Sequence, residues 1–248
     1  MKATALKLIK GPLQWLSTSP KAAFARSALA RALNLALEPR HGVLMFYEDP
    51  SRSTTMHRIK RIRKEKTVMN FSDSEGYQIY MSVRNTAKVK GDMAEVGVAS
   101  GGSALIIREA NSDKPLHLFD TFEGLPPLSL EDDPRLFHKG QYSATLDYVR
   151  SVLALHHSVY FYPGLFPATG KAVEGRMFSF VHLDVDLYQS TLDSLRFFYP
   201  QMNKGGVIMS HDYIGAKGVR KAFDEFFDDK PEPIVELSCG SQCLIVKT

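Results

Sequence analysis

The chain has 248 residues, of which 44% are apolar and 23% charged, and carries a net charge of +4. That length and apolar content suffice for a large core and make one main α/β domain the default, while the lack of any uninterrupted run of eighteen apolar residues argues against a membrane-spanning helix. The two cysteines, Cys239 and Cys243, supply neither a disulfide framework nor a four-ligand zinc pattern, and they fit packed thiols in a reducing cytoplasm.

Charge is unevenly spread along the chain. Residues 1–66 hold fourteen Lys/Arg against four Asp/Glu, which leaves the rest net acidic. Residues 1–37 contain six Lys/Arg and no acid among many Ala, Ser and Thr, a composition shared by organellar transit peptides and ordinary helices. Leu29, Leu33 and Leu37 form one apolar stripe at helical spacing. Pro12, Pro20 and Pro39 divide this leader into short helices that would pack on the body, cover an active site or join subunits into a homo-oligomer. The dense basic run over 56–66 lacks aromatics for stacking on bases, and Ile59 and Ile62 share a helix face, so solvated cations are expected there rather than a nucleic-acid site. A membrane-surface role for this basic segment over 1–66 is the other reading its charge permits. A further helix is predicted over 74–88. The domain plan is therefore a basic helical leader or cap over 1–74 and a body over 75–248.

Beyond residue 92, apolar runs alternate with helical patterns, as a parallel sheet with helical crossovers requires. Strands are predicted near 93–98, 116–120, 159–162, 178–184 and 207–210, and helices near 103–111, 145–155, 190–200 and 217–228. Ile234–Leu237 and Cys243–Val246 are separated by only five residues, too few for a crossover helix, so they form a hairpin that closes the sheet with an antiparallel strand. The expected fold is a Rossmann-like sheet of seven strands, preceded by N-terminal helices.

The first strand runs directly into a glycine-rich turn, Glu95-Val96-Gly97-Val98-Ala99-Ser100-Gly101-Gly102-Ser103. Gly97 and Gly101 permit a tight turn, Ser103 begins a helix, and Glu95 suits the cationic portion of S-adenosylmethionine, whereas it would repel a dinucleotide pyrophosphate. Asp120 ends the second strand, where a carboxylate can accept both ribose hydroxyls. Thr121 and Phe122 follow in a rigid loop, with Phe122 placed to pack on cofactor or substrate. At the ends of the fourth and fifth strands stand Asp184 and the pair His211-Asp212. Carboxylates rarely end a buried sheet without a partner, and an oxygen-rich site for a hard divalent ion is the expected one. Such an ion lowers the pKa of a hydroxyl and fixes it for attack. Asp186 is expected to cap the next helix with help from Ser190, and His182 to be a satisfied core histidine. The long polar stretch 132–143 is a candidate substrate lid or a variable surface loop.

Several of these segments together resemble the macrocin O-methyltransferase family: Gly91-Asp92-Met93-Ala94-Glu95-Val96-Gly97-Val98, Phe119-Asp120-Thr121-Phe122-Glu123-Gly124-Leu125-Pro126, Tyr162-Pro163-Gly164-Leu165-Phe166 and Leu183-Asp184-Val185-Asp186-Leu187-Tyr188. The resemblance covers about residues 75–228 and implies a class I methyltransferase fold. It further implies S-adenosylmethionine bound by Glu95, Gly97, Ser100, Gly101 and Asp120, and magnesium held by Asp184 and the pair after the fifth strand. The implied acceptor is a small hydroxylated molecule, a sugar or other natural product, with a catechol or phenol as the alternative. The chain departs from the family pattern at His211, where an acid is expected. Nitrogen there makes manganese or another transition ion plausible in place of magnesium, or leaves His211 as a general base. Two competing classes stay open on the residues alone. A nicotinamide oxidoreductase would require neither the paired acids nor the terminal hairpin, and a noncatalytic nucleoside-binding adapter would bind without methyl turnover.

Overall fold

A computed structural model describes residues 50–65, 71–238 and 240–248. The expectations for the leader over 1–49 and for Cys239 lie outside these residues. By internal contacts residues 55–248 form one compact unit. Ahead of the body expected from residue 75, Met56, Ile59 and Ile62 are buried. These three lie on α1 (Pro50–Glu65), which carries the basic run. On its other side Arg58 and Arg61 reach Glu109 at 3.3 and 3.2 Å, exposed pairs of the kind that add little stability.

Helix α2 (Asp73–Asn85) opens with a reciprocal capping box, in which the Ser72 hydroxyl accepts from Glu75 N while the Glu75 carboxylate accepts from Ser72 N. Then come β1 (Asp92–Val96), α3 (Gly102–Ala110), β2 (Leu116–Asp120), α4 (Leu146–Val152), β3 (Val159–Pro163), β4 (Phe178–Leu183), α5 (Tyr188–Phe198), β5 (Met202–Ser210), α6 (Lys217–Phe227), β6 (Val235–Glu236) and β7 (Cys243–Val246). The seven strands lie in the order β3-β2-β1-β4-β5-β7-β6. The first five are mutually parallel, and β7 runs antiparallel between β5 and β6. The strand order reverses at β1 and β4, so a crevice opens beyond their carboxyl ends.

Helices α5 and α6 pack on each other and share a core with Ala94, Val96, Val181 and Leu183. Phe119, Phe166 and Phe198 meet there with centroids 5.2 to 6.1 Å apart, and each such burial contributes about 1.5–3 kcal/mol. Cys243 is a buried free thiol. Among the described residues no helix is long and apolar enough to cross a membrane.

Two expectations need correction. Strand β5 begins at Met202, not 207: Met202 pairs with Phe178 and Val207 with Phe180, so a register irregularity carries the ladder through Gly205-Gly206. The N-cap of α5 is Leu187, and neither Asp186 nor Ser190 caps the helix. The N–H of Tyr188 instead donates to Asp132 Oδ1 at 2.8 Å, and Asp132 Oδ2 also accepts from Ser129 N and Oγ. A carboxylate fifty-six residues away thus supplies the cap and frees Asp186 for other contacts.

Candidate active site

A cavity of about 340 Å³ lies at the carboxyl ends of the parallel strands. Its wall includes Gly97 beyond β1, Asp120 at the end of β2 and Thr121 beyond it, Asp184 and Asp186 beyond β4, and His211 and Asp212 beyond β5. The strand register sets this row, with Val96 beside Leu183 and Leu183 beside Ser210. Four of these strand tips also hold a non-glycine residue in the left-handed region: Ala99 (φ 43°), Phe122 (56°), Asp186 (60°) and Asp212 (59°). Each costs about 1–3 kcal/mol, a strain that concentrates where side chains must be aimed at a ligand. Gly97 (φ 84°) is required on two counts, since a Cβ there would also collide with the backbone oxygen of Asp184.

The residues read as cofactor ligands separate into two groups. Gly97, Asp120 and Thr121 line the cavity, whereas Glu95, Ser100, Gly101, Ser103 and Phe122 are not part of its wall. Asp120 Oδ2 accepts from Val98 N (2.6 Å) and Ala99 N (3.0 Å), and Oδ1 from Phe122 N (2.6 Å), so this carboxylate ties together the turns that follow β1 and β2. Phe122 contributes its backbone to that knot, and the left-handed Gly101 is the N-cap of α3.

Glu95 is fully buried as the direct cross-strand partner of His182, with Oε1 2.8 Å from Nδ1. Burial raises its pKa, opposed by the bonds from His182 and from Ser103, which faces Glu95 from the start of α3. Glu95 Oε2 and His182 Nε2 have no hydrogen-bond partner, so His182 is half satisfied rather than fully so. Successive side chains of β1 point to opposite faces of the sheet, so Glu95 lies on the other face from Val96.

The acidic centre is densely connected. His211 Nδ1 lies 2.9 Å from Asp212 Oδ2 and 3.4 Å from Asp184 Oδ1, and Nε2 lies 3.3 Å from Glu75 Oε1. Burial alone would depress the imidazole pKa, but Asp184, Asp212 and Glu75 outweigh it and raise the pKa far above the usual value. Burial likewise pushes Asp184 up, and His211 beside it holds the carboxyl below its usual range. Asp186 is driven well above its own range by burial and by the neighbouring Asp184 and Asp212. One imidazolium therefore does not neutralise the cluster. Asp184, His211 and Asp212 each present a ligand atom, all within 4.8 Å of one another, a spacing and donor set that fit a divalent cation.

Sequence reading missed two contributors. Glu75 was legible as part of a Ser-x-x-Glu helix start, but nothing local signals that Ser241, in the turn before β7, brings it to His211: Ser241 N donates to Glu75 Oε1 at 3.0 Å. Phe71 sets its ring edgewise to His211 at 6.1 Å and lines the cavity. Across the opening, the stretch over 132–143 supplies Leu136, Phe137, Gln141 and Tyr142 to the wall. It is tied down by Leu125 N to Gln141 O and Gly140 N to Leu125 O, both 2.9 Å.

Residues 75–237, more than half of the chain, match the family of macrocin-O-methyltransferases (TylF), and the chain belongs to that family. It is 32% identical over 140 residues to the 8-demethyl-8-(2,3-dimethoxy-alpha-L-rhamnosyl)-tetracenomycin-C 4'-O-methyltransferase of Streptomyces olivaceus, covering 50% of this chain and 54% of that one. It is 30% identical over 158 residues to the demethyldecarbamoylnovobiocin O-methyltransferase of Streptomyces niveus, covering 56% and 58%. The chain thus spans little more than half the length of these relatives. Among solved structures, the O-methyltransferase NovP superposes with a TM-score of 0.62 at 23% identity over 71% of this chain and 81% of that one, a likeness of fold.

Proposed function

We propose that this member of the macrocin-O-methyltransferase family transfers the methyl group of S-adenosylmethionine to a hydroxyl of a sugar or related natural product, assisted by a divalent cation. The observation that carries the reading is the convergence of Asp184, His211 and Asp212 on one cavity that also contains the Gly97 turn and Asp120. The bare backbone at Gly97 and the carboxylate of Asp120 suit close approach of a nucleoside. The exposed apolar side chains Leu136, Tyr142 and Leu165 at the opposite wall suit an acceptor whose hydroxyl is carried on an apolar skeleton.

A cation held by Asp184, Asp212 and His211 Nδ1 would displace the Nδ1 proton of the imidazolium to solvent and would supply Lewis acidity that makes a neutral hydroxyl acidic enough to react. The protein's own residues do the remaining work. Asp184, in the cavity wall, is placed to receive the hydroxyl proton, and the segment 132–143 that lines the cavity excludes water. In the transfer a carbon–oxygen bond forms as the carbon–sulfur bond breaks, and the sulfur keeps the electron pair. Holding those three atoms in line is chiefly a matter of position, which the tied turns after β1 and β2 provide.

Incubation of the full chain with labelled S-adenosylmethionine, magnesium or manganese, and a panel of glycosylated and phenolic acceptors tests the proposal. Label transfer that chelation abolishes is the expected result. Donor binding without transfer to any acceptor would favour an adapter, and transfer unaffected by chelation would remove the cation from the reading.

A further inference from the structure

We propose that Glu75 is the positioning residue that fixes His211 as a nitrogen donor at the acidic centre, so that the centre holds a transition ion such as Mn²⁺ or Co²⁺ in preference to Mg²⁺. This rests on the cation-assisted reading above and specifies the site further.

A histidine binds a cation through one ring nitrogen, and the other nitrogen's N–H needs an acceptor to keep the tautomer and the ring angle fixed. Glu75 is the carboxylate beside that nitrogen, with Oε1 in ion-pair contact 3.3 Å from Nε2 and outside hydrogen-bond geometry, while Nδ1 on the far side of the ring faces Asp212 at 2.9 Å and Asp184 at 3.4 Å. Glu75 is itself held from three directions. Its Oε2 accepts from Ser72 N at 2.8 Å and Ser72 Oγ at 2.9 Å, and its Oε1 accepts from Ser241 N at 3.0 Å. Ser241 Oγ in turn accepts from Asp212 N at 3.2 Å, which links the orienting carboxylate to the next ligand residue. The edge of Phe71 restrains the imidazole plane. Both His211 and Glu75 are more than nine-tenths buried, so neither side chain is free to swing to solvent.

Preference among ions follows from the donor type. An imidazole nitrogen in place of a carboxylate oxygen removes one negative charge and adds a softer ligand, which favours first-row transition ions, whereas Mg²⁺ demands oxygen and retained water. The family resemblance leads one to expect an acid at this position, so the nitrogen donor is where this chain departs from it.

The test measures metal binding directly. Mn²⁺ binding to the full chain is followed by loss of the free-ion paramagnetic resonance signal, Co²⁺ by its visible absorption and Mg²⁺ by competition, with S-adenosylhomocysteine calorimetry as a check on folding. The expected results are tighter binding of Mn²⁺ and Co²⁺ than of Mg²⁺, and a loss of about 10–100-fold in Mn²⁺ affinity in Glu75→Gln with nucleoside binding unchanged. His211→Asp should level Mg²⁺ against Mn²⁺ and abolish the effect of Glu75→Gln. Equal affinity of the wild type for Mg²⁺ and Mn²⁺, or a Glu75→Gln protein that binds Mn²⁺ like the wild type, would overturn the inference and leave the cation-assisted reading standing. Absence of any divalent binding in protein that binds S-adenosylhomocysteine would overturn both. Were Glu75→Gln to lose S-adenosylhomocysteine binding, the Mn²⁺ to Mg²⁺ ratios of the wild type and His211→Asp alone would decide.

Discussion

The two ends of the parallel sheet handle buried charge in opposite ways. At the amino ends of the strands, Asp92 accepts from His117 Nε2 and from Arg176, both at 3.0 Å, and the other nitrogen of His117 meets the Tyr162 hydroxyl at 2.9 Å. Lys114 there contacts Thr86 O, Val89 O and Ser179 Oγ. Burial dominates the shift of His117 and lowers its pKa, as befits an imidazole that packing keeps neutral. At the carboxyl ends, Asp184, Asp186, Asp212 and Glu75 surround the single imidazole of His211 beside an open cavity. A polar cluster with a purely structural role pairs each of its members. A cluster with excess charge and an opening beside it points to a ligand that completes it.

The sharpest way to break this contrast is to remove one carboxylate from the unbalanced end. Asp184→Asn should lower kcat/KM by about 10²–10⁴-fold in a methyl-transfer assay while calorimetry finds S-adenosylhomocysteine binding retained. Near-normal turnover would mean that the excess charge does not serve the reaction. Next in size, Gly97→Ala should destabilise the fold by about 3 kcal/mol or more in denaturant unfolding, because strain at a positive φ adds to the collision with Asp184 O. At the balanced end, Asp92→Ala should cost about 1–3 kcal/mol by stranding His117 Nε2, with kcat unchanged. A fall in kcat there would show that the two ends are coupled.

Acid provides the smallest effect. Contacts to Glu75 from His211, Ser241 and Ser72 overcome the effect of burial and lower its pKa to about 2, and Lys247, Tyr199 and Thr248 do the same for buried Glu232. Both folded-state values lie below the unfolded carboxylate value. Their stabilisation is therefore complete above the unfolded value of 4.5 and is lost as pH falls toward about 2. Thermal melts between pH 7 and pH 3 should show a flat limb and then a decline, and Glu232→Gln should make the decline shallower.

Local pattern and tertiary contact contributed differently to what could be read in the chain. Five apolar runs in alternation with helical segments, and a final pair too close for a crossover, determined the class of sheet, because hydrophobic period and chain length act within a few residues. Where a boundary depended on a partner strand, as at Met202 in β5, the apolar run alone placed the start five residues late. The motifs after β1, β2, β4 and β5 marked the strand tips that meet, since parallel strands bring their carboxyl ends to one edge whatever lies between them. What only the tertiary structure decided is how the side chains divide that edge. Glu95 turns inward to His182, Asp132 takes over the cap expected of Asp186, and Glu75 is brought through Ser241 against His211. Each of these depends on a hydrogen bond between residues far apart in sequence, and no periodicity along one chain encodes which distant carboxylate will arrive.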